Sequence, residues 1–204
     1  MREGTIGIVV QAAPHSRSRR PSVTIPTPPV RVEDLDAAGP GDARLELLDG
    51  LCVLRPWPTP LRARVTSRLT HLLTEAATSG AHVLPAGVGV ELSPRCLLVP
   101  DLVVAASPAG EDRRLRETPF LVVEVADAST RRYDRTLKLD LYREHGVVSC
   151  WLIDPDTTTL EAYELVAGSY VATSATGPDG VFTTTRPFPV TVRTAELIDP
   201  PDAE

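Results

Sequence analysis

The sequence has few cysteines, no long apolar run and no surplus of positive charge. Its three cysteines, Cys52, Cys96 and Cys150, are odd in number, far apart and in no C-x-x-C arrangement. That fits a reducing compartment, the cytoplasm, better than a disulfide framework or a structural zinc. No apolar stretch reaches the roughly 20 residues that a membrane-crossing helix needs, and the short run at residues 6–10 lacks the flanks of a signal peptide. The formal charge of −6 and a pI near 5.3 argue against a chain that coats nucleic acid without specificity, because that mode of binding neutralises many phosphates at once. Local basic patches are still compatible with that total. There is no internal repeat.

What is present is a chain of 204 residues with 42% hydrophobic composition, long enough for one domain with a core and short for two. Residues 1–30 are dominated by Gly, Ser, Pro and Arg, and residues 22–29 would resist regular structure, so this segment reads as a disordered arm. Within it Arg17, Arg19 and Arg20 stand beside His15 without an acid, as a solvated tail or as a contact to phosphates. The expected domain is residues 31–198, followed by a polar tail at 199–204.

From residue 44 the pattern becomes regular. Asp49-Gly50 between the apolar runs 45–48 and 51–54 predicts a type I′ hairpin. Thr59 or Pro60 opens a helix to residue 77 with an apolar stripe of Leu61, Val65, Leu69, Leu72, Leu73 and Ala76, and Gly80 stops it. Arg62, Arg64 and Arg68 fall on other faces, for ordinary solvation or for a backbone phosphate. His71 lies beside the stripe with no second His or Cys at ligand spacing and is assigned no chemistry. Short strands at 82–85 and 87–92 lead into the next run, and a β-meander over 160–172 and an edge strand at 188–192 close the domain.

The centre of the chain is residues 100–154. Val99-Pro100-Asp101-Leu102-Val103-Val104-Ala105 and Phe120-Leu121-Val122-Val123-Glu124-Val125 read as buried strands that each carry one acid. A carboxylate inside a buried strand is costly unless a partner satisfies it, so the two strands predict a shared cation or a hydrogen-bonded network. Between residues 132 and 145, Tyr133, Leu137, Leu141 and Glu144 follow helical spacing, while Asp134, Lys138 and Tyr142 form the neighbouring i, i+4 stripe. Gly146 ends that helix, and residues 147–154 form a third apolar strand closed by Asp154-Pro155-Asp156.

Pro100-Asp101, Leu121-Val122-Val123-Glu124-Val125, Asp134 to Lys138 with Tyr142, and His145-Gly146-Val147 followed by Trp151-Leu152-Ile153-Asp154-Pro155 together resemble the Uma-two family of restriction-type endonucleases, a branch of the PD-(D/E)xK nuclease fold. Val32-Glu33-Asp34-Leu35 and Leu45-Glu46-Leu47-Leu48-Asp49-Gly50 resemble that family's opening segment, so the resemblance covers about residues 30–197. It implies an α/β (α+β) fold with a mixed sheet, a restriction endonuclease-like core flanked by helices and an extra β-meander. It also implies hydrolysis of phosphodiester bonds in DNA, with Asp101, Glu124 and Lys138 as the catalytic set. Asp101 and Glu124 would hold Mg²⁺ or Mn²⁺, which prefers oxygen and is held by one or two carboxylates with substrate phosphate completing the shell.

Most of the fold carries its lysine two residues after the glutamate, which here is Ala126. The resemblance implies that the ammonium has moved to Lys138 on the following helix, with Asp134 and Tyr142 supporting it. Glu46 is either an additional metal-holding acid, as in many nucleases of this fold, or a surface strand residue. Asp127, Ser129 and Thr130 read as capping groups, and Ser129 has no histidine partner for nucleophilic work. A homodimer would supply two sites for two strands. The alternative reading is a non-catalytic module that keeps the nuclease fold for binding or assembly.

Overall fold

The computed structural model describes residues 6–7, 24–25, 29–37, 44–108, 114–128 and 130–199. The arginine cluster at 17–20, the acids at 111–112, Ser129 and the tail from residue 200 lie outside the described residues. The contacts divide the chain into two compact units, residues 1–57 with 93–98 and residues 58–92 with 99–204.

In the first unit Arg44–Leu48 and Leu51–Arg55 pair antiparallel, with Leu48 opposite Leu51. Asp49 and Gly50 between them have φ of 46° and 87°, both in the left-handed region that a type I′ turn requires. The turn is tied down on both sides: the Gly50 N–H donates to the Arg95 carbonyl at 2.8 Å, and the Val30 N–H donates to the Gly50 carbonyl at 3.0 Å. A side chain at residue 50 would meet the Arg95 guanidinium at 3.2 Å, so space and φ both select glycine. Cys96–Leu98 adds to the hairpin through Leu47 opposite Leu97. Val30, Val32, Leu47 and Leu97 form this unit's small core. Ile6–Gly7 pairs antiparallel with Thr24–Ile25, regular structure in a stretch whose composition was expected to resist it.

The second unit is built on helix α1 (Pro60–Ala76) and six strands, β1 (His82–Pro85), β2 (Leu102–Ala105), β3 (Leu121–Val125), β4 (Ser149–Asp154), β5 (Thr159–Val166) and β6 (Ser169–Thr176). Their order across the sheet is their order in the chain. Every neighbouring pair is antiparallel except β3 and β4, which run parallel with Val123 opposite Trp151 and Glu124 opposite Leu152. That one parallel pair requires a crossover, supplied by helix α2, which comprises Arg131–Tyr133, Asp134–Lys138 and Leu139–Glu144. The mixed sheet with flanking helices and a terminal meander is the expected fold class.

Alternation along β3 fixes what each face carries. Leu121, Val123 and Val125 enter the main core with Val65, Leu69 and Leu73 of α1 and Trp151 and Ile153 of β4. Glu124 is thereby turned to the opposite face. Val181–Thr184 and Val190–Arg193 pair antiparallel and bring Phe182, Val190 and Val192 into the same core, where Phe182 meets Trp151 edge-on with ring centroids 5.0 Å apart. Arg68 was expected to be solvated or near a phosphate. Its Nη1 instead donates to the Leu197 and Ile198 carbonyls at 2.9 Å each, closing the end of the helical turn Thr194–Ile198.

The expected stripe of α1 packs on the core, with Val65, Leu69 and Leu73 buried and Leu61, Leu72 and Ala76 partly so, and the buried face extends to Arg62 and Thr66. In α2 the expectation needs correction. Asp134, Lys138 and Tyr142 are buried, while Leu137, read as part of the apolar spacing, is 56% exposed.

Candidate active site

Each side chain of the site is delivered by a defined piece of backbone. Thr59 caps α1 by accepting the Arg62 N–H at its Oγ1 at 3.2 Å, and Pro60 occupies the first turn, so the start of the helix is fixed and Arg62 is turned inward. Asp101 precedes β2 and is locked to the β3 strand, its N–H donating to the Val123 carbonyl at 3.0 Å. The Val125 N–H returns to Asp101 Oδ2 at 2.8 Å.

The two strand acids meet at one guanidinium. Arg62 Nε donates to Asp101 Oδ1 at 2.8 Å and Nη2 to Oδ2 at 2.6 Å, the two-point geometry that makes arginine–carboxylate pairs strong. The same Nη2 lies 4.0 Å from Glu124 Oε2, and Nη1 lies 3.6 Å from Asp127 Oδ2. Asp127 also accepts the Thr130 N–H at 3.2 Å, the capping role expected of it. The shared cation that two buried acids call for is therefore present, and it belongs to the chain.

Glu124 is engaged from the other side by α2. Lys138 Nζ forms an ion pair with Glu124 Oε1, and the Tyr142 hydroxyl donates to that oxygen at 2.6 Å. Residues 134–138 form a π turn, a widened turn common at functional sites, and it places Asp134 and Lys138 together on the sheet-facing side. Arg62, Asp101, Glu124, Asp134, Lys138 and Tyr142 are all buried. Cys150 on β4 reports how dry this face is: burial pushes its thiol well above its ordinary value, with the Glu124 charge raising it further.

Around this centre two further basic residues of α2 pair with acids of the sheet and its adjoining turn. Arg131 binds Asp154 at 2.6 Å and Asp156 at 2.7 Å, and Arg135 binds Glu161 at 2.5 Å. Tyr163 donates to the other Glu161 oxygen at 2.8 Å, and partial burial together with that bond raises its phenol to about 12. A cleft of about 480 Å³ lined by Thr66, Ser67, Thr70, His71 and Pro85 reaches down to Asp101, giving the site an approach along α1. His71 itself is exposed beside Glu75.

Asp101, Glu124 and Lys138 are thus brought together, with Tyr142 in contact and Asp134 one turn from Lys138. Glu46 lies in the first unit, fully buried, with Arg55 Nη1 3.5 Å from its Oε1, so the surface-strand alternative for it is overturned. Arg62 is the residue that the sequence reading missed. Among the described residues no group of three or more His, Cys, Asp or Glu gathers as a ligand set.

Residues 32–196 match the family Uma2, described as "Putative restriction endonuclease". Among solved structures, the crystal structure of a "putative nuclease" from Anabaena variabilis ATCC 29413 superposes with a TM-score of 0.68 at 16% identity, covering 83% of this chain and 98% of that one. At that identity the likeness establishes the fold. No curated protein matches the chain.

Proposed function

We propose, for a chain that belongs to the Uma2 restriction-type endonuclease family, that it is a metal-dependent endonuclease hydrolysing phosphodiester bonds in DNA. The observation that carries the reading is the convergence of Asp101 and Glu124 on one cation, with the Lys138 ammonium behind Glu124. The guanidinium between the two carboxylates marks a position where positive charge is held. The hard oxygen donors of two carboxylates within reach of that position fit Mg²⁺ or Mn²⁺, which needs only one or two protein carboxylates. Asp101 and Glu124 would hold the ion. Bound there, it would supply an activated water and offset charge on the phosphoryl oxygens.

The chain's own residues do the rest. Tyr142 fixes the Glu124 carboxylate by a bond to Oε1, and Lys138 opposes its charge and presents an ammonium to the hydrolytic centre. Asp134, one helical turn away, orients Lys138. The cleft along α1 admits the phosphodiester to Asp101. A pair of chains would serve the two strands of a duplex. No described helix is long and apolar enough to cross a membrane.

A second reading, a non-catalytic binding or assembly module, is favoured by the complete burial of Asp101, Glu124 and Lys138 and their neutralisation from within the chain. Single-turnover cleavage of a panel of DNA and RNA substrates with Mg²⁺ or Mn²⁺ separates the two. Cleavage that requires the divalent ion, prefers DNA and falls by about 10²-fold or more in Glu124→Gln and Asp101→Asn supports the nuclease. Wild-type protein that cuts nothing moves the assignment to the module.

A further inference from the structure

Arg62 is a fully buried arginine in the first turn of α1, and three carboxylates stand around its guanidinium. We propose that Arg62 is the resident cation of the acid pair, and that a divalent ion enters by displacing its guanidinium from Asp101 towards Asp127. The inference rests on the metal-dependent reading above and adds what controls occupancy of that site.

Three features of the geometry carry it. Both Asp101 oxygens are taken by Arg62, at 2.8 and 2.6 Å, so an ion coordinating Asp101 competes directly with the guanidinium. Towards Glu124 the same Nη2 stands further off, 4.0 Å from Oε2, so Asp101 is the carboxylate that the guanidinium grips. Asp127, at 3.6 Å and on the exposed edge of the cluster with 15% side-chain exposure, is a second acceptor already within reach. The backbone of Arg62 is anchored by the Thr59 cap, so the movement required is a rotation of the side chain and the helix start stays fixed. With Arg62 at Asp101 both Asp101 oxygens are taken, and the site resists adventitious cations. With Arg62 at Asp127 the Asp101 oxygens are released, and the guanidinium stands on the exposed side, where a phosphate would arrive.

The test is Mn²⁺ binding in the absence of nucleic acid, read as free Mn²⁺ by electron paramagnetic resonance. Arg62→Met removes the competing charge and keeps the stem, and is expected to tighten Mn²⁺ binding by about tenfold or more, the scale of one released ion-pair contact. Asp101→Asn in the Arg62→Met background should abolish that gain. Asp127→Asn keeps the cap but removes the charged alternative acceptor, and should weaken Mn²⁺ binding in an otherwise native chain. This second variant decides the matter if Arg62→Met does not fold. Equal Mn²⁺ affinity in wild type, Arg62→Met and Asp127→Asn would overturn the displacement while leaving a metal-binding nuclease intact. No Mn²⁺ binding by any of them would overturn both the displacement and the metal-dependent reading beneath it.

Discussion

Replacing Lys138 by methionine isolates one charge in the driest part of the molecule. The ammonium is completely buried and paired with a Glu124 that is itself completely buried, and methionine retains most of the aliphatic stem, so the packing loss is small. What remains is a buried carboxylate that has lost its closest ammonium and keeps the Tyr142 hydroxyl at 2.6 Å and an Arg62 nitrogen at 4.0 Å. Breaking a buried pair from one side costs about 3–5 kcal/mol, and the Tyr142 bond, which is charge-assisted, offsets none of that because it is already made. Lys138→Met should therefore lower the unfolding free energy by about 3–5 kcal/mol. Glu124→Gln alone takes the paired carboxylate charge from the buried ammonium and should cost a similar amount. The double variant removes both charges, leaves Tyr142 an amide oxygen to donate to, and should recover on the order of 2–3 kcal/mol of the summed single costs. Urea unfolding of the four proteins, with m-values compared to exclude a changed unfolded state, measures the cycle. A single-variant cost below about 1 kcal/mol, the range of an exposed ion pair, or strict additivity in the double variant, would refute the claim that this contact is desolvated.

Two further outcomes follow from the titration behaviour of other groups. Cys96 and Cys150 are buried and Cys52 is partly exposed, and burial raises Cys150 well above the ordinary thiol value, so a thiol reagent should label at most Cys52 in the native chain and all three after denaturation; rapid native labelling of Cys150 would contradict the packing of β4 against α2. Tyr163, raised from 10.0 to about 12, favours the neutral phenol in the folded state. Its contribution to stability is full below pH 10 and is lost as pH rises from 10 through about 12, so wild type should lose more stability than Tyr163→Phe over that interval in urea midpoints, and parallel losses in the two proteins would remove Tyr163 as the cause.

The sheet was legible because its signals are local. Apolar runs bounded by Gly or Pro marked β2, β3 and β4. Asp49-Gly50 has the positive φ values that its turn type requires, and Thr59-Pro60 opens α1 where a capping residue followed by proline should. The site was legible in its acids for a related reason: one charged residue inside a run such as Leu-Val-Val-Glu-Val is conspicuous, and its cost announces a partner. The partner was harder to find. Arg62 stands among Arg64 and Arg68 in an arginine-rich helix, and arginines near a helix start are usually solvated. Its position carried the answer nonetheless, since it lies three residues before Val65 and seven before Leu69, on the stripe that is buried. In α2, periodicity showed that two stripes exist but could not say which faces the sheet. The choice falls to Asp134, Lys138 and Tyr142 because the sheet face opposite them carries Glu124, and an apolar stripe there would take from its Oε1 both the Lys138 ammonium and the Tyr142 hydroxyl. Leu137 is exposed as the consequence.

The arrangement of charge is hard to explain by folding alone. Arg62 comes from α1 and Lys138 from α2, and each meets an acid at one end of two adjacent strands. Replacing such buried pairs by apolar residues of similar volume is often neutral or stabilising, and the fold already has a large apolar core between α1 and the sheet. A chain selected only for stability would have no need of buried acids and cations such as Asp101, Glu124, Asp134, Arg62 and Lys138. The convergence of Asp101 and Glu124 on one guanidinium is the informative part, because it marks a position in a dry site where positive charge is held. The position of Asp127 at the exposed edge then matters more than its capping bond suggests. It gives the Arg62 guanidinium a second place to rest, so admitting a cation to Asp101 would not strand a buried arginine. Under the displacement proposed above, the stability of the cluster and the metal binding proposed for it would be set by the same side chain, and the balance between them would turn on which carboxylate Arg62 holds.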